Sequence, residues 1–114
     1  MEDIIFFTCD EIIIKKEKIY LIEGKHSKQS LIPSLEDIKD GLLKMILFTN
    51  LKEVKMQAKE YNPFAVLKLT SEINFQKNKL TLSHIKMLKL LKEESKQNNF
   101  VVMLNNKNLM ELAI

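Results

Sequence analysis

Two β-rich runs separated by four charged residues constrain this chain more than any other feature. Residues Ile4 to Ile14 read Ile-Ile-Phe-Phe-Thr-Cys-Asp-Glu-Ile-Ile-Ile. Residues Ile19 to Glu23 read Ile-Tyr-Leu-Ile-Glu before Gly24-Lys25, and Lys15-Lys16-Glu17-Lys18 lie between the two runs. β-Branched and aromatic side chains dominate both, and helical spacing is absent. The pattern predicts a β-hairpin over residues 4–25. Both alternating faces of the first run are apolar, as expected of a strand covered on two sides.

The rest of the chain alternates between helical and strand patterns. After a polar loop from His26 to Ile32 and Pro33, Ser34 is placed to cap a helix, with Glu36 and Asp37 in its first turn where the helix dipole favours negative charge. Ile38, Leu42, Met45, Ile46 and Thr49 recur at helical spacing, predicting a helix over 34–50. Gly41 inside it costs about 1 kcal/mol relative to alanine, and close packing of helix on sheet is the simplest reason to keep it. Val54, Met56 and Ala58 alternate with polar residues. A turn at Tyr61-Asn62-Pro63 then returns the chain through Phe64 to Thr70, giving a second hairpin over 53–70. Thr81 or Ser83 caps a second helix over 82–98, with Leu82, Ile85, Leu88 and Leu91 inward, and Phe100 to Leu104 forms a last strand. The order ββα, ββ, αβ predicts an α/β (α+β) fold, a mixed β-sheet with flanking helices, as one domain or domain fragment over 1–114.

Composition excludes several classes. The hydrophobic fraction is 46% and the charged fraction 29%, a globular balance. The formal net charge of +3 leans only weakly toward anionic partners. The single cysteine, Cys9, rules out an internal disulfide framework and suits a reducing cytoplasm. Met1-Glu2-Asp3 is acidic where a signal peptide is basic. The longest apolar runs, such as Phe100 to Leu104, fall far short of the roughly 20 residues of a membrane-crossing helix. No Cys/His cluster supports zinc, and no Gly-rich phosphate loop is present. A soluble cytoplasmic protein is expected.

The first hairpin carries chemistry. Glu23 and Lys25, two apart on a strand, project to one face. Either a two-residue turn at Lys16-Glu17 or a four-residue loop from Lys15 to Lys18 pairs Ile14 with Ile19 and sets Asp10 opposite Glu23, with their Cβ atoms about 5 Å apart. Two carboxylates so placed repel, and burial disfavours both anions. A divalent cation relieves both problems, and hard oxygen ligands at this spacing suit Mg²⁺, with Mn²⁺ as a substitute. A lysine on the same face can then help prepare a water for attack on a phosphodiester.

An aspartate in one strand and Glu-x-Lys in the next resembles the PD-(D/E)xK nuclease superfamily. The stretch Ile22-Glu23-Gly24-Lys25-His26-Ser27-Lys28, together with Pro33-Ser34-Leu35-Glu36-Asp37-Ile38-Lys39-Asp40-Gly41-Leu42-Leu43-Lys44-Met45, is similar to bacterial type II restriction endonucleases. The resemblance covers residues 4 to 70. It implies a Mg²⁺-dependent endonuclease acting on double-stranded DNA, with Asp10, Glu23 and the Gly24 carbonyl at the metal and Lys25 assisting the attacking water. Cys9 stands where the motif has proline. The superfamily core begins with a helix and a strand before the aspartate strand, and only Met1 to Asp3 precede it here. The expectation is therefore the C-terminal portion of a longer enzyme, a restriction-endonuclease-like core lacking its first helix and strand. Such a portion would expose sheet edge, so a homodimer through that edge or the helices is also expected.

Plainer readings stand beside these. Asp10-Glu11 could mark a bulge or the exposed end of a strand, and Glu11 lies on the face opposite Asp10. His26 faces away from Lys25, and His84 suits a helix cap. Lys25 and Lys28 are candidates for DNA phosphate contact, as are Lys39 and Lys44, although lysine on a helix more often only meets solvent. The rival function is a catalytically inactive fragment serving folding, dimerisation or nucleic-acid binding.

Overall fold

The computed structural model describes residues 9–74 and 76–113. Ile4 to Thr8, predicted to begin the first strand, lie outside the described residues. Strands β1 (Glu11–Lys15) and β2 (Lys18–Ser27) form the first hairpin, followed by helix α1 (Leu35–Thr49). Strands β3 (Val54–Met56) and β4 (Lys59–Ser71) come next, then helix α2 (Leu82–Asn98) and strands β5 (Val101–Leu104) and β6 (Lys107–Asn108). The fold is mixed α+β, and among the described residues the sheet has six strands in the order β1-β2-β4-β5-β6, with β3 also paired to β4. β4 runs parallel to β2 and to β5, and the other pairings are antiparallel. Parallel neighbours need a crossover, and α1 and α2 lie in those connections.

Strand alternation decides what the sheet buries. Ile19, Leu21 and Glu23 on β2, Ala65, Leu67 and Leu69 on β4, and Val102 and Leu104 on β5 are buried. The alternate positions Phe64 and Val101 are exposed, and Tyr20, Val66 and Lys68 are half-buried. The helices supply Ile38, Met45 and Phe48 from α1 and Leu88 and Leu91 from α2 to one apolar cluster with the buried strand residues.

Several expectations need correction. β1 has β2 as its paired strand and Ile14 is 43% exposed, so among the described residues it is an edge strand and is not covered on both sides. β2 runs through His26 to Ser27, where a loop was expected, because parallel pairing with β4 continues to Ser27 and Ser71. The second hairpin turns at Gln57-Ala58, both with positive φ, and not at Tyr61-Asn62-Pro63. Two consecutive left-handed residues give the tight turn whose twist matches paired strands. Pro63 is tolerated inside β4 because the β3 pairing stops at Tyr61 and the β5 pairing starts at Val66. Asn62 N–H donates toward β2, to Glu17 O, so the next nitrogen along faces the unpaired side.

The helix faces also shift. On α1 the buried residues are Ile38, Gly41, Met45 and Phe48, while Ile46 is exposed and Leu42 half-buried. The stripe is rotated toward Gly41. A Cβ added there would lie 2.6 Å from Leu67 Cδ1, so helix and sheet pack too closely at the glycine to leave room for a side chain. Leu82, expected inward, is 77% exposed at the start of α2. Ser34 and Thr81 cap the two helices as the sequence suggests, and His84 Nδ1 closes a capping box by accepting from Thr81 N–H. Among the described residues no helix is long and apolar enough to cross a membrane.

Candidate functional site

The hairpin turn is the tight one: Lys15 pairs with Lys18 across Lys16-Glu17, and the register continues to Glu11 opposite Ile22. One step further, Asp10 would face Glu23, but the regular ladder ends first. Asp10 N–H donates to Ile22 O at 3.2 Å, so Asp10 and Glu11 both lie against Ile22. Two residues opposing one is the signature of a bulge, which bends the strand and re-aims a side chain. The plainer reading of Asp10-Glu11 therefore describes the backbone. The Asp10 carboxylate remains at β2, where its Oδ2 accepts from Gly24 N–H at 2.9 Å. Glu11 pairs with Lys68 of β4 at 3.4 Å.

Glu23 is the buried charge of the sheet, 2% exposed. Removing a carboxylate from water is costly unless cations and hydrogen bonds replace the lost hydration. Two ammonium groups face its Oε2, Lys25 Nζ at 3.3 Å and Lys44 Nζ at 3.5 Å. Its other oxygen, Oε1, is buried with no hydrogen-bond partner among the described residues. Lys25 makes a closer contact with Asp40 of α1, Nζ to Oδ2 at 2.7 Å. That hydrogen bond is the main reason the Lys25 ammonium is held above its ordinary pKa, with Glu23 adding to it and partial burial opposing it. The same contact lowers the Asp40 carboxyl below its usual value. Lys25 is accordingly a firm cation at neutral pH.

Among the described residues, the carboxylates of Glu23 and Asp40 face the ammonium groups of Lys25 and Lys44. The Cys9 thiol is pushed up to about 11, first by burial and then by Glu23 and Asp10, against a lowering contact with the Ile22 backbone. Among the described residues no group of three or more His, Cys, Asp or Glu is arranged to hold a metal ion.

The structure thus joins Asp10 to the Gly24 backbone and Glu23 to Lys25 at one end of the hairpin. Lys28, in the bend after β2, and Lys39 on α1 are exposed and form no ion pair with Glu23. His26 lies on the other face, with Nδ1 2.7 Å from Thr70 Oγ1. The sequence reading did not assign Asp40 a role and treated Lys44 only as a flanking cation. A signal was present: the two are one helical turn apart and bracket Gly41, the residue that marks the sheet-contacting side. The chain matches no family model, no curated protein and no solved structure.

Proposed function

We propose that this chain is the catalytic portion of a cytoplasmic, magnesium-dependent endonuclease that hydrolyses double-stranded DNA, built on a restriction-endonuclease-like core. One observation carries the reading: among the described residues the buried Glu23 carboxylate has an unpartnered oxygen, and Lys25 lies on the same strand face. An orphaned buried acceptor is costly, and a cation or its waters would satisfy it.

The residues fit such an ion. Asp10 and Glu23 supply two carboxylates, and Mg²⁺ takes one or two while keeping several waters. Within a strand, a residue's N–H and C=O point to the same side, so the Gly24 carbonyl opens toward the edge its N–H shares with Asp10. Mn²⁺ offers the same preference for oxygen. When bound, the ion would polarise a phosphate oxygen and lower the pKa of water. The chain's own contribution is charge and orientation. Lys25, held between Asp40 and Glu23, would help prepare the attacking water and offset charge on the phosphate. Lys28 and Lys39 are exposed and available to contact backbone phosphates.

The test is incubation of supercoiled plasmid with the protein in Mg²⁺, in Mn²⁺ and in EDTA, with Lys25→Ala alongside. Metal-dependent nicking or linearisation that falls at least about a hundredfold in Lys25→Ala is expected, the scale of losing one charge-stabilising donor. No cleavage in either metal sinks the reading, and equal cleavage by Lys25→Ala assigns the activity to something else.

A further inference from the structure

A lysine side chain is flexible and carries a point charge with three donors, so a strand position alone does not fix where its ammonium rests. Lys25 makes its shortest polar contact with Asp40 at 2.7 Å, against 3.3 Å to Glu23. Asp40 is contributed by α1, a different element, and the next residue is Gly41, where an added Cβ would meet Leu67 of β4. One turn later Lys44 reaches Glu23 from the same helix. The side chain of Asp40 is 53% exposed and that of Lys25 18%. An exposed carboxylate gains little from an ion pair, so the consequence of this contact falls on the half-buried lysine.

We infer that Asp40 is a positioning residue of this site, holding the Lys25 ammonium against the Glu23 carboxylate before any substrate arrives. Its catalytic consequence rests on the nuclease reading, whereas the holding itself does not. Without Asp40 the lysine stem regains rotamers that point its charge into solvent, and each turnover then requires it to be ordered again. Asparagine at this position keeps an acceptor oxygen and should hold the ammonium more weakly.

The experiment compares wild type, Asp40→Ala and Asp40→Asn by two readouts. Limiting acylation with an acetyl succinimide ester, read by mass spectrometry, gives labelling of Lys25 relative to exposed Lys28 in the same molecule. Steady-state cleavage of plasmid DNA gives kcat and KM. The labelling ratio should rise roughly threefold in Asp40→Ala, the scale of a weak ion pair, and by less in Asp40→Asn. In cleaving protein, kcat should fall on the order of tenfold in Asp40→Ala with KM unchanged, and recover largely in Asp40→Asn. An unchanged labelling ratio in Asp40→Ala overturns the inference, as does a raised ratio with unaltered kcat. If wild type fails to cleave DNA, the nuclease reading falls while the ratio still decides whether Asp40 holds Lys25. Alanine is the strongest helix former, so this exposed helical position should tolerate it, and far-UV circular dichroism checks that.

Discussion

Gly24 N–H donates to Asp10 Oδ2 at 2.9 Å, so a side-chain carboxylate occupies the place where a continued ladder would offer a main-chain carbonyl. The contact fastens the end of β1 to β2 and aims one carboxylate oxygen at the backbone. It gives Asp10 a structural task alongside any role at a metal.

Asp10→Ala and Asp10→Asn separate those two tasks. Alanine removes the acceptor and should cost about 1 kcal/mol, a typical net hydrogen bond, whereas asparagine retains an acceptor and should stay near wild type in urea unfolding. With Mg²⁺ or Mn²⁺ at a hundred times its dissociation constant, wild type should gain about 2.7 kcal/mol by mass action, and both variants should lose that gain. Wild-type melting that ignores both metals counts against the metal site, and Asp10→Ala as stable as wild type counts against the Gly24 contact.

Gly41→Ala tests the closeness of helix and sheet. Alanine improves helix propensity by about 1 kcal/mol, but its methyl would sit 2.6 Å from Leu67 Cδ1, and Leu67 is fully buried. Overpacking of this kind costs about 1–3 kcal/mol, so the variant should be less stable overall. Leu67→Ala alone should cost about 2–5 kcal/mol, and the double variant should be less destabilised than the sum because the two residues share one space. A stabilised Gly41→Ala protein would show that the helix has room to spare.

Stability should depend on pH through Lys25 and Asp40. Asp40 is held below its ordinary pKa, so its contribution is present above the unfolded value and is lost as pH falls through the folded one. Lys25 is held above its ordinary pKa, so its contribution is present below the unfolded value and is lost as pH rises through the folded one. The pair therefore contributes across the neutral range. Urea midpoints of wild type and Asp40→Asn should differ at neutral pH and converge as pH falls through the lowered Asp40 pKa. A gap that persists in acid assigns the effect to another cause.

Cys9 should be a slow thiol. At a pKa of about 11 against an ordinary 9.0, its thiolate fraction at neutral pH is about a hundredfold lower than that of a free cysteine. Alkylation by iodoacetamide at pH 7.5 should be slow in the folded protein and speed up sharply in urea. Equal rates in both states would mean that the thiol is neither buried nor set among carboxylates.

The strand character of Glu11–Lys15 and of residues 19–25, and the sharing of a face by Glu23 and Lys25, were readable from residue order, because neighbours in a chain fix periodicity. The helix caps at Ser34 and Thr81 were readable for the same reason. The turn at Gln57-Ala58 was missed because neither residue is a habitual left-handed former, and Pro63 drew the boundary instead. Its acceptability depends on which side of β4 lacks a partner, a property of the sheet. The rotated stripe of α1 followed from the contact at Gly41, which periodicity alone could not phase.

Local order along the chain thus put forward Asp10, Glu23 and Lys25 as candidates, spaced on two adjacent strands. Tertiary structure decided what each of them contacts. The bulge against Ile22 accompanies the hydrogen bond from Gly24 to Asp10, and the crossover from β2 through α1 to β4 delivered Asp40 to Lys25 and Lys44 to the buried Glu23. A strand's own sequence sets the direction of its side chains. The balance of charge around a buried carboxylate is set by whichever distant segments the fold brings within a few ångströms, because water no longer screens them there.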